Sequence, residues 1–135
     1  MILQVAVGMV VNLYVTVPAH HPGSHPSEYF SGSLRSVAWA LSSGPLALAI
    51  HVGMGLAAAT MALVLAVRAV RVRGGWVAAL SVVAAAMVIG AGFNGASFLD
   101  FGAALSSLLM ALLALGSLTC YFLCSHLLGS GPPSQ

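Results

Sequence analysis

The residues able to do chemistry are few, and they cluster. Positions 20–29 read HHPGSHPSEY, so His20, His21, His25 and Glu28 fall within one short stretch. Imidazole nitrogens and carboxylate oxygens are the ligand types that zinc and copper take. The spacing H-H-x3-H-x2-E matches no strong motif. Pro22 and Pro26 also prevent a continuous helix, so the four side chains need not share a face. A loop folded around an ion, completed by His51 or Asp100, is one reading. A plain polar loop at a membrane surface is the second, and proton sensing by the histidines is the third.

Other chemistry is thinner. Haem needs axial ligands held by helices. His51 is the only histidine well inside an apolar run, and His126 lies toward the far end of another run. A haem would therefore need His51 and a loop histidine. Cys120 and Cys124 share a helical face within one run and read as small buried side chains, with a thiol site beside His126 as the alternative. There is no P-loop, H-E-x-x-H or G-x-S-x-G. With two acids in the chain, Glu28 and Asp100, the sequence argues against an enzyme.

Three more polar residues fall at one height. Asn12, His51 and Asn94 each sit four to six residues inside the end of an apolar run, roughly 6–9 Å deep at about 1.5 Å per residue. With Asp100 above them they predict a small polar pocket, serving either to bind a ligand or to fix helix packing. Intramembrane polar groups need such a reason.

The elements that must position these residues follow from composition. The chain has 135 residues, 60% apolar and 4% charged, against about 25% charged in an average soluble domain. A soluble fold could not cover its surface with so few polar groups, so the expected solvent is lipid. The net charge of +2 gives no reason to expect nucleic acid as a partner.

Runs of about 20 apolar residues span a bilayer as helices. Four are expected: Ile2 to Val17, Pro45 to Val67, Trp76 to Phe98 and Phe101 to Leu128. None alternates at period two, which excludes barrel strands. Asp100 is expected to cap the start of the fourth helix. The fold class is thus all-α, a four-helix transmembrane bundle over residues 1–128, with a tail at 129–135. In the outer loop, residues 18–44, Leu34, Val37, Ala38 and Leu41 share one face beside Trp39 and Arg35. That face predicts a short interfacial helix, with a break near Ser42 to Pro45.

Arg68, Arg71 and Arg73 flank one short connection. Positive residues in short loops stay cytoplasmic, which places both termini inside and HHPGSHPSEY outside. Arg35 is the exception. A signal peptide cleaved after Ala19 would expose His20 as a copper-chelating N-terminus. The absence of a positive n-region, and Gln4 and Asn12 within the run, speak against it.

Small residues mark close helix contacts: Gly53, Gly55 and Ala57; Gly90, Gly92 and Gly95; Ala111, Ala114 and Gly116. GAGFNG at 90–95 formally matches G-x-G-x-x-G, but it follows no strand and lies within a span, so it is not a dinucleotide site.

The reading is a multi-pass protein of a cytoplasmic membrane. Ala, Gly, Val and Arg without any Lys point toward a bacterial source. The expected function is an accessory or assembly component, partnered by lipid and by copies of itself or a larger complex. The alternative is a copper, zinc or small-ligand binder at the outer pocket, and the third is an oligomeric transporter or channel.

Overall fold

The computed structural model describes residues 1–129, and within them the chain is all-helical. Five helices follow one another: α1 (Ile2–Tyr14), α2 (Tyr29–Ser42), α3 (Leu46–Val72), α4 (Gly75–Phe101) and α5 (Ala104–Gly129). Three of them, α3, α4 and α5, are long and apolar enough to cross a membrane. The first is not. α1 has 13 residues, about 20 Å of helix against a hydrocarbon core of about 30 Å. The expected first span, 2–17, stops at Tyr14 because Val15 already has extended backbone angles.

Other boundaries move for local reasons. α3 runs on to Val72, so Arg68 and Arg71 lie on the helix and Arg73 ends it. α4 continues past Phe98 and takes in Asp100, which therefore sits in the last turn of α4 and does not cap the next helix. The stop comes at Gly102. Its φ of 64° is left-handed, and its N–H bonds to the Phe98 carbonyl at 2.8 Å, the glycine ending that helices favour. The tail beyond Gly129 lies outside the described residues.

Packing is built on small side chains. α4 and α5 form the most extensive contact, followed by α3 with α4. Gly90 and Gly95 lie against Leu113 and Met110, and Gly116 lies against Met87. Where no water drives helices together, such close approach supplies the dispersion contact that holds them. Gly92 differs, because a Cβ there would meet nothing within 4 Å. Cys120 and Cys124 are buried free thiols, and Cys124 lies 3.7 Å from Ser81 Oγ on α4.

The most informative element is α2. Its buried residues are Gly32, Ser33, Ser36 and Ala40. Large apolar side chains of α2 point away from the bundle: Leu34 is 71% exposed and Phe30 69%. In lipid an outward leucine carries no penalty, whereas small residues let α2 lie close and let serine hydroxyls reach inward partners. The helix is thus small and polar inside, apolar outside.

Candidate functional site

The last turn of α4 organises the end of the molecule where α1 stops and α2 lies. Asp100 is 1% exposed. Its Oδ1 accepts from Ser36 Oγ at 2.6 Å and its Oδ2 from Ser33 Oγ at 2.7 Å. Ser33 and Ser36 are three apart on α2 and so share a face. Those lengths are typical of hydroxyls donating to a carboxylate. One side chain on α4 thereby holds both inward serines of α2. Tyr29 adds a second tie, its hydroxyl lying 2.8 Å from Ser97 Oγ and donating to the Phe93 carbonyl at 3.2 Å.

The loop between α1 and α2 closes over the same turn. A helix C-terminus leaves carbonyls without intrahelical donors, and the loop supplies donors. The His25 N–H bonds to the Asp100 carbonyl at 3.0 Å, and His21 Nε2 lies 3.1 Å from the Leu99 carbonyl. His25 takes a left-handed φ of 47° to do so, a region in which histidine is enriched among non-glycine residues. The His21 ring stacks on Trp39 of α2, with centroids 4.4 Å apart and planes 16° apart. His25 meets Phe101 edge-on. Beneath the loop is a cavity of about 190 Å³, lined by Ser24, His25, Leu99 and Asp100 among others.

The pocket residues expected from depth occupy separate places. Asn94 Nδ2 donates to the carbonyl of Gly90 on its own helix, at 2.9 Å. Asn12 Oδ1 accepts from Ser107 of α5 at 3.2 Å. His51 belongs to the α1–α3 contact. Its ring lies on Gly8, its carbonyl accepts from Gln4 Nε2 at 3.0 Å, and its Nδ1 and Gln4 Oε1 are buried without partners. Asp100 is the member that anchors an assembled polar cluster, and its partners are the α2 serines.

The four candidate metal ligands are likewise dispersed. Glu28 is the N-cap residue of α2, and His25 packs edge-on against Phe101. Both ring nitrogens of His21 face carbonyl oxygens, of Pro22 at 3.2 Å and of Leu99 at 3.1 Å. His20 is an exposed loop residue. Among the described residues no three His, Cys, Asp or Glu side chains come together as a metal ion would need.

Sequence reasoning missed Ser33, Ser36, Gly23 and Gly32. A signal existed: Gly32, Ser33, Ser36 and Ala40 form a small stripe at helical spacing, the pattern that close packing in lipid selects.

No family model matches this chain, and neither a curated protein nor a solved structure is significantly similar to it. What the fold defines is a class: an all-helical chain whose three long apolar helices fit a membrane protein.

Proposed function

We propose that residues 1–128 form one membrane domain acting as a non-enzymatic accessory or assembly component of a larger membrane system. α3, α4 and α5 cross a bacterial cytoplasmic membrane, α1 is the short fourth member of the bundle, and α2 lies in the outer interface. Arg71 and Arg73, at the turn between α3 and α4, orient that turn toward the cytoplasm. The end of α5 is then inside, and α1, entering as a short span that thins the bilayer around it, brings the N-terminus inside as well.

The observation that carries this reading is how the polar side chains are used. Asp100, Ser33, Ser36, Tyr29, Ser97, Asn12 and Asn94 all bond within the chain. All but Asn94, which bonds back to Gly90 of its own helix, join one helix to another. The apolar faces, by contrast, are open, with Leu34, Phe30 and Phe93 outward. Such a molecule offers a partner a helix surface.

The test uses Gly92, an exposed glycine on α4 whose side-chain direction is open. Gly92→Leu is expected to leave unfolding of the isolated chain unchanged and to dissociate the complex extracted in mild detergent. If the natural chain instead runs as a lone 13.6 kDa species, before and after cross-linking in the membrane, the accessory role is wrong.

A second reading rests on the cavity. About 190 Å³ beside Ser24 and His25 would take a small polar ligand under the loop, making the chain a binding protein. Titration of candidate ligands against the Ser24→Leu variant separates the two, because filling the cavity abolishes binding and leaves assembly alone.

A further inference from the structure

Three of the chain's four arginines are gathered at one end of the fold. Arg68 and Arg71 lie in the last turns of α3 and Arg73 ends it, and all three are exposed. The inward face of that helix is marked by the buried Ala62, Ala66 and Ala69. Arg68 and Arg71, three residues apart, share a face turned away from those alanines. They point toward lipid, not into the bundle. The chain's two acids are far from them. Asp100 is in the last turn of α4, and Glu28 precedes α2, which packs on that turn. The arginines adjoin the first turn of α4, whose 27 residues are about 40 Å long. Among the described residues none of the three forms an ion pair or a hydrogen bond.

Their height matches a membrane surface. α3 also has 27 residues, about 40 Å against a hydrocarbon core of about 30 Å. Centred on that core, it extends about 5 Å beyond each side. Arg68 then sits at the boundary, with Arg71 and Arg73 in the headgroup layer. Trp76, 78% exposed in the first turn of α4, is the amphipathic ring that sits at this level. A Cβ at Gly74 or Gly75 would meet nothing within 4 Å, so no side chain roofs the turn.

We infer that Arg68, Arg71 and Arg73 form a docking site for the headgroup of an anionic phospholipid. Guanidinium groups bond phosphate oxygens in pairs. A zwitterionic headgroup brings its own ammonium, which competes for that phosphate and repels the arginines. An anionic headgroup brings none and relieves the repulsion among three adjacent cations. The site rests on α3 crossing a bilayer, as proposed above, and does not depend on the accessory role.

The chain has two tryptophans, so the Trp39→Phe variant leaves Trp76 as the sole indole, beside the arginines. The variant is reconstituted in vesicles of phosphatidylcholine and phosphatidylglycerol in which one or the other lipid carries bromine, a contact quencher of indole emission. Phosphatidylglycerol is expected to be preferred about fivefold at low salt, the gain of one well-placed arginine. The preference should fall to near parity when Arg68→Gln and Arg71→Gln are added, and persist with Arg35→Gln. Equal quenching by the two lipids overturns the site, with no arginine variant needed. A preference that survives Arg68→Gln and Arg71→Gln overturns it too. So does a preference abolished by inorganic phosphate but not by chloride at matched ionic strength, which would make it a free-anion site. Quenching by neither lipid would remove the crossing itself, and the site with it.

Discussion

Asp100→Ala is expected to release α2 from the bundle. The substitution removes two short hydrogen bonds and leaves two hydroxyls behind, one of them, on Ser36, fully buried. Bonds to a carboxylate are worth about 1.5–3 kcal/mol each, and water entering the opened site returns part of that, so a loss of about 3 kcal/mol is expected. Asp100→Asn should cost about half as much, since one amide oxygen can still accept while the amide nitrogen must find a new acceptor. Thermal unfolding followed by helical signal, with limited proteolysis of the segment before α2, reads both changes. An Asp100→Ala chain as stable and as protease-resistant as the natural one would show that the carboxylate does not hold α2.

Gly23→Ala attacks the same junction from the loop. Gly23 has φ of +100°, a conformation that an L side chain resists. A Cβ there would strike Ser36 Oγ and would lie 2.5 Å from the Gly32 carbonyl and 2.6 Å from Ser36 N. Gly32 is equally tight, because its Cβ would run into the ring of Pro26. Strain and overpacking each cost about 1–3 kcal/mol, so a combined loss of about 2–4 kcal/mol is expected, limited by the loop lifting away. Gly102→Ala is the control. It shares a positive φ but meets nothing within 4 Å, so its cost should be the backbone strain alone. Because Gly23→Ala displaces the hydroxyl that Asp100 holds, the double variant should lose less than the two single losses added. Strict additivity would mean that the loop and the carboxylate do not share Ser36.

The parts legible in the sequence were those set by solvent. Low charge and long apolar runs announce helices in lipid, and α3, α4 and α5 appear where those runs lie. Boundaries were harder, since an apolar helix can carry charged residues at its ends. Arg68, Arg71 and Asp100 were read as flanks and are helical. Gly102, two residues after Asp100, was the stop signal that outranked the capping preference of aspartate.

The site was legible in part for a different reason. Counting residues along a helix gives height but not direction around the axis. Asn12, His51 and Asn94 have similar heights and face different neighbours, so shared depth did not make a pocket. Asp100 was identified, but its partners were not. The apolar face of α2 was read as that of an interfacial helix, and the small, polar face opposite it, with Ser33 and Ser36, was given no partner. That face is the one that goes in.

The most direct test of the account is sidedness. Cys120 and Cys124 are replaced by Ala, and single cysteines are placed at positions 24 and 71 in separate chains. A membrane-impermeant thiol reagent is applied to intact cells and to opened membranes. With α3 crossing the membrane and the loop outside, position 24 labels in intact cells and position 71 labels only after opening. Labelling of position 71 from outside, or of both positions from the same side, would contradict it.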